Sequence, residues 1–504
     1  MTNTNGCNMA RSHGFGRRNG DEQPTGGAVQ QGKFGRMFPN LLPLRATDDD
    51  MAKLGATMIA EKPVDNPAIP AGFTYLGQFV DHDITLDTTG LGEQIADPTA
   101  VLNFRTPKLD LDSVYGRGPV ADPGLYQRVT SELMQIGQTN ASAPRGDAKV
   151  KPSLPFDLPR GPQGLAIIGD PRNDENLVVA QTHLAILRFH NKVVEKVKQD
   201  GVVIRSVFED ARQLVQWHYQ WVVLHDFVER IAGKDVIDDV LKNGRKFYRF
   251  EEQSAFGEPY MPLEFSVAAY RLGHSMVREV YDYNRVFTPE PGGVTPATLD
   301  LLFRFSGLSN PEIDPAKFAQ NIPIPSDWII DWNRFYDVSG PASNLSQRLD
   351  PFLTPRLHKL NNIPANEPSS LAVRNLQRAL KMGLPSAQDV AAFMNIPLLS
   401  EADLTSGKDG EMLKSLGLHL KTPLWYYILK EADKTQDGKR LGAMGARIVA
   451  EVFIGMLQGD PHSFLARQPD WKPTLGKDGV FGMADLLRFA GDLNPIGDPK
   501  NVNP

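Results

Sequence analysis

Apolar residues recur three and four positions apart in LVVAQTHLAILRFHNKVVEKV (177–197), VFEDARQLVQWHYQWVVLHDFVERI (207–231) and GARIVAEVFIGML (445–457). That period predicts three long helices, each with a face turned to a core. Strict alternation of apolar and polar residues is scarce, so strands are expected to be few and short. Proline and glycine clusters at 141–163, 288–296, 310–325 and 460–479 interrupt the helical pattern. Residues 1–30 are poor in apolar side chains and read as a flexible arm. The chain enters its fold in RMFPNLLPLRATDDDMAKLGATM, where Thr47 or Asp48 can cap a short helix. No internal repeat is present, and the expectation is a mainly α-helical domain over 31–504 with long irregular connections.

Composition narrows the function. A chain of 504 residues, 41% hydrophobic and 23% charged, is large enough to bury a cofactor, and it contains no run of eighteen apolar residues to span a membrane. The net charge of -6, with both signs interspersed, offers no basic stripe for nucleic acid. With one cysteine, Cys7, no internal disulfide can form and thiolate-rich zinc or iron–sulfur sites are excluded. Any metal must be held by histidine, carboxylate or carbonyl. The N-terminus lacks the apolar segment of a secretory signal, so cytoplasmic residence is the expectation, with export by a non-classical route left open.

Four stretches carry candidate chemistry. In GQFVDHD (77–83), helical geometry places Gln78 and His82 on one face, with Asp81 and Asp83 about 100° to either side of the histidine. The three ionisable groups can then serve three neighbours, or the segment can be an exposed helix end with solvated aspartates. GDPRNDEN (169–176) precedes the 177–197 helix, and Asp170 or Asn173 can cap it. Arg172 is harder to explain there, since a helix N-terminus disfavours cations, and it can instead polarise a bound oxygen species beside Glu175. In AYRLGHSM (269–276), Gly273 sits in a helical pattern just before His274, and a glycine there signals a close neighbour, a flat ligand among the candidates. In TPKLDLDSVYG (106–116), oxygen donors two apart suit a hard cation, although the pattern fails as an EF-hand.

Taken together, GQFVDHDITLD, DLDSVYG, GDPRNDEN followed by LAILRFHNKV, AAYRLGHSM and LAVRNLQRALKMGLPS resemble, in that order, the animal-type haem peroxidases of the peroxidase–cyclooxygenase superfamily. The likeness, to a bacterial branch, runs over residues 34–460. It implies a mainly α, multi-helix fold around a buried haem. It implies further that His82 is the distal histidine, taking a proton from hydrogen peroxide and returning it to the leaving oxygen, while Arg172 stabilises the developing charge. Gln78 would line the distal cavity. His274 would ligate the iron, Asn375 would orient it, and Arg271 would contact a propionate. Asp81 and Glu175 match residues that form esters with the methyl groups of haem b. Asp83 matches a calcium ligand, together with Thr106, Lys108 through its carbonyl, Asp110 and Asp112. The implied activity is oxidation of small electron donors and halides by hydrogen peroxide through a ferryl intermediate.

Departures qualify the likeness. Asn176 stands where a methionine would make a third haem link, so no sulfonium bond is expected. Residues 378–383 read RALKMG where many relatives read RGRDHG, and Asp112 replaces a serine. The superfamily's fatty-acid dioxygenases need a tyrosine three residues before the proximal histidine; that position is Arg271, with Tyr270 one place further back. A non-catalytic haem-binding protein would have no need of both His82 and Arg172. The pairs His183/His190 and His218/His225 lie about 10.5 Å apart along helices, too far to share a metal, and read as structural.

Overall fold

The computed structural model describes residues 32–497 apart from 87–101, 104, 143–152, 163, 202, 255–256, 291–292, 295, 307–322, 361–362, 364 and 492; the arm at 1–30, with Cys7, lies outside the described residues. Helices dominate. Thr47 caps α1 (Asp48–Thr57) through a reciprocal box with Asp50, whose backbone N–H donates to Thr47 Oγ1 (3.1 Å) while Asp50 Oδ2 accepts from Thr47 N (2.9 Å). The GQFVDHD stretch lies in α2 (Gly72–Ile84), an interior helix buried along most of its length. The 177–197 pattern becomes α3 (Leu177–Asp200), capped by Asn176 Oδ1, which accepts from Val179 N (3.1 Å). Asp170 instead caps the short 3₁₀ turn Pro171–Asp174, and Asn173, expected as a possible cap, turns inward.

The expected single helix over 207–231 is interrupted. It runs as α4 (Val207–Val222), widens into a π-helical turn at Val223–Val228, and closes in one turn at Glu229–Ala232. The wide turn places Phe227 against α2 at Gly77, where a Cβ would come within 2.9 Å of the phenyl ring. Glycine there is a requirement of close packing, and the register change is the local adjustment that seats the ring.

Behind these lie α5 (Leu371–Lys381), α6 (Leu424–Gln436) and α7 (Ala443–Gly459). Helix α5 packs between α1 and α6; α3 packs on α2, α4 and the C-terminal helix Met483–Ala490. Helix α7, apolar almost all round, is buried, and its Phe453 meets Phe265 and Tyr270 edge-on at 5.5 and 5.3 Å. Strands are short: Gly32–Gly35 pairs with Leu102–Asn103 and Met261–Pro262, Asp65–Pro70 with Leu345–Gln347, and Val280–Tyr281 with Ala297–Thr298. The histidine-bearing segment 269–276 departs from the expected helix. It forms a 3₁₀ turn, Ala269–His274, whose following N–H groups bond three residues back (Ser275 N to Leu272 O, 3.1 Å; Met276 N to Gly273 O, 3.2 Å).

Candidate active site

Helix α2 turns Gln78 and His82 to one face, where they meet the turn at 171–176. Gln78 Nε2 donates to Glu175 Oε2 (2.9 Å), and Gln78 Oε1 accepts from Asn176 Nδ2 (3.0 Å). His82 is fully buried, with Nε2 3.6 Å from Glu175 Oε2 and Nδ1 2.8 Å from Asn173 Oδ1. Arg172 Nη2 donates to the His82 carbonyl (2.7 Å) and to Asp170 Oδ2 (2.7 Å), and its Nε donates to Asp170 Oδ1 (3.1 Å). The guanidinium is therefore aimed by two fixed acceptors.

Asp170 has a second partner, Arg105 (2.6 Å), which also pairs with Asp112 (3.0 Å). Burial pushes the Asp170 carboxyl up, but the guanidiniums of Arg172 and Arg105 outweigh it and hold it well below the usual carboxylate range. Four ions of alternating sign thus run from Asp112 to Arg172. A second buried arginine, Arg160, joins Asp157 (2.9 Å) to Asp174 (2.8 Å) and secures the same turn.

Sequence reasoning missed two members of this region. Asn173 Nδ2 lies 3.0 Å from His183 Nδ1, so His183, read as structural, stands behind His82 with Asn173 between them. All three residues are fully buried, and burial brings His183 down to about 3. The ten-residue offset between Asn173 and His183 carries no recognisable spacing, because it crosses from a 3₁₀ turn into α3.

On the other side, His274 closes the 3₁₀ turn and its Nδ1 lies 2.7 Å from the Asn375 side-chain amide on α5. The atom placed there is Asn375 Nδ2; with the amide turned about, its oxygen would accept from Nδ1–H and leave Nε2 as the nitrogen to coordinate a metal. The three-residue repeat sets Arg271 on the His274 face, with its Nε donating to Ser266 O (3.0 Å). Tyr270 is turned away, its hydroxyl donating to Gly77 O (3.1 Å), and this bond ties the turn to α2. A Cβ on Gly273 would meet no protein atom within 4 Å, so the backbone beside His274 presents a surface that a flat group can approach. Two imidazoles, each with a side-chain amide at Nδ1, and this glycine surface fit a haem.

The acidic stretches also converge. Carboxylate oxygens of Asp83, Asp110 and Asp112 lie within 4.8 Å of one another. Asp83 accepts from Ser113 Oγ (3.0 Å) and Leu111 N (3.2 Å), and the loop turns through Leu111 in a left-handed conformation (φ 57°). Burial first, then mutual repulsion, pushes Asp83 well up and Asp110 up to about 7; burial also raises Asp112, against the pull of Arg105. Three crowded carboxylates suit a hard divalent cation. Thr106 and Lys108 stand earlier on the same loop, with the Thr106 carbonyl accepting from Lys108 N (2.8 Å), and α4 holds the loop through Gln220 Nε2 to Leu109 O (3.0 Å). Asp81, half-buried, accepts from Thr85 Oγ1 (3.1 Å), while Glu175 is buried. Among the described residues, no helix is long and apolar enough to cross a membrane.

The model of the animal haem peroxidase family matches residues 88–468. Thyroid peroxidase of Sus scrofa is 24% identical over 388 residues, covering 72% of this chain and 38% of the relative; a peroxidase-like protein of Margaritifera margaritifera is 27% identical over 195 residues, covering 37% and 23%. The chain thus spans less than two-fifths of the length of these relatives. Among solved structures, peroxidase A of Dictyostelium discoideum superposes with a TM-score of 0.61 at 17% identity, covering 90% of this chain and 92% of that one. The fatty acid alpha-dioxygenase of Oryza sativa gives 0.59 at 15% identity, covering 97% and 82%.

Proposed function

Because the chain belongs to the animal haem peroxidase family, we propose that it is a haem peroxidase, an oxidoreductase that uses hydrogen peroxide to oxidise small electron donors, halides among them. The observation that carries the reading is the pairing of His82, hydrogen-bonded at Nδ1 to Asn173, with an Arg172 aimed by Asp170 and the His82 carbonyl. His82 Nε2 accepts the proton of bound peroxide and returns it to the departing oxygen. Arg172 offsets the charge that develops as the O–O bond lengthens, and Gln78 and Glu175 border the same space. Haem b would be held through His274 with Asn375 behind it and Arg271 near a propionate, and would pass the two oxidising equivalents of hydrogen peroxide on to the donors. Asp81 and Glu175 are the side chains for ester attachment. Asp83, Asp110 and Asp112, with the carbonyl of Lys108 and with Thr106, are the calcium ligands. Within the family, a bacterial branch is supported by the single cysteine, which leaves no internal disulfide.

The dioxygenase alternative draws support from the fold alone. Arg271 occupies the position where a radical-carrying tyrosine is needed, and Tyr270 donates its hydroxyl to Gly77 O. The test is the absorption spectrum of the haem-supplied protein before and just after hydrogen peroxide, with His82→Ala alongside. A rapid change of the Soret band that the variant loses supports the reading. Haem binding with no His82-dependent change would overturn it.

A further inference from the structure

Resting on the reading of His82 as the proton acceptor, we infer that Asn173 and His183 are positioning residues that keep the proton of neutral His82 on Nδ1 and so leave Nε2 as the acceptor. The chemistry of the donors and acceptors dictates the direction. An amide oxygen can only accept, so the contact of Asn173 Oδ1 with His82 Nδ1 (2.8 Å) requires a hydrogen on that nitrogen. The amide could equally turn about and offer its NH₂ group, which would force the hydrogen to Nε2. His183 decides between the two: its Nδ1 lies 3.0 Å from Asn173 Nδ2 and, unprotonated, accepts from it. With its own hydrogen on Nε2, a neutral His183 fixes the amide, and the amide fixes the ring.

The arrangement is needed while Glu175 is a free carboxylate, before any ester forms, because it then pulls the other way. Its Oε2 lies 3.6 Å from His82 Nε2, and a carboxylate there attracts a hydrogen to the nitrogen that must stay bare. Without the pair behind it, neutral His82 would carry its hydrogen toward Glu175 and would have no lone pair to offer peroxide.

A purely structural role accounts less well for these residues. The turn at 171–176 is already secured by Asp170 with Arg105, by Arg160 with Asp174 and by Asn176 with Gln78. His183 has its Nε2 buried with no hydrogen-bond partner among the described residues, an unfavourable state that an apolar side chain would avoid. Phe79 sits edge-on against the His183 ring (5.9 Å, 73°), fixing its plane so that Nδ1 faces Asn173. The side chains thus satisfy each other toward His82 and leave the far end of the relay unsatisfied.

The test reads the tautomer directly, by ¹⁵N spectra of selectively histidine-labelled, haem-free protein at about pH 9, where imidazole is neutral. His82 is expected with its hydrogen on Nδ1 in the parent and in His183→Asn, whose amide oxygen can replace the lost acceptor, and with its hydrogen on Nε2 in His183→Leu. The haem-supplied His183→Leu protein is expected to react with peroxide about 10- to 100-fold more slowly, with His183→Asn near the parent, the scale usual for groups that orient a functional histidine. If His82 in the unmutated protein carries its hydrogen on Nε2, or if His183→Leu leaves it on Nδ1, the inference is overturned, whatever the fate of the variants' folding. Failure of the peroxidase reading shows separately, as a peroxide response that survives His82→Ala.

Discussion

The two histidine-bearing sides of the site are built differently. His82 stands on a regular helix, fully buried, beside a turn held by Arg105 and Arg172 on Asp170, by Arg160 on Asp174, and by Asn173 and Asn176. His274 ends a short 3₁₀ turn, half-buried, beside Gly273, where an added Cβ would meet nothing within 4 Å. The groups proposed to move protons are thus set by the polypeptide, while the side proposed to hold iron is shaped to be completed by its ligand. Preorganisation matters most where charge develops during reaction, and there the protein supplies its own counter-ions.

This contrast can be broken from the distal side first. Asp170→Asn removes the anion shared by the buried Arg172 and the partly buried Arg105, and we expect a loss of about 3–5 kcal/mol in the urea unfolding of haem-free protein. An unchanged midpoint would mean that the distal side does not hold itself together. On the proximal side, Asn375→Val should leave haem-free stability nearly untouched yet weaken haem retention by about 10- to 100-fold, measured by transfer to apomyoglobin. Gly273→Val should be silent in the haem-free protein and raise a clash of about 1–3 kcal/mol only when haem is added, seen in titration. If it destabilises the haem-free form equally, the surface beside Gly273 is not a ligand surface.

The smallest expected effect concerns pH and the acidic cluster. The folded value of Asp110, about 7, lies above the ordinary carboxylate value, so the cation-free protein takes up protons on folding between about pH 4 and pH 7. That contribution to stability is full at low pH and is lost as pH rises through 7. A cation needs the deprotonated carboxylates, so the rise in melting temperature given by calcium over chelator should be larger at about pH 8 than at about pH 5. His183 (about 3), His190 and His218 (about 4 each) act in the opposite sense, but they are common to both arms and cancel in the difference. Equal increments at the two values would argue against calcium at these carboxylates.

The elements legible in the sequence were those with strong period: 177–197 and 445–457 form helices close to the expected bounds. The break in 207–231 was hidden because it answers to Phe227 meeting Gly77, a contact across the fold that no local pattern encodes. Gln78, His82, Arg172 and Glu175 come together as their motifs implied, and Asp83 joins Asp110 and Asp112. Asn173 reads as one of two alternative caps, with Asp170, because caps are judged from sequence neighbours, whereas its partners His82 and His183 are set by the packing of α2 on α3. The balance of Asp112 was invisible for a similar reason, since Arg105 is recognisable as its counter-ion only once the loop has folded back on itself.

The alternating file from Asp112 through Arg105 and Asp170 to Arg172 constrains how the sequence can drift. Losing Arg105 alone strands Asp112 and leaves Asp170 to Arg172, and losing Asp112 alone leaves Arg105 leaning entirely on Asp170. The two positions are therefore coupled: replacing Arg105 and Asp112 together is expected to cost less than the sum of the two single replacements.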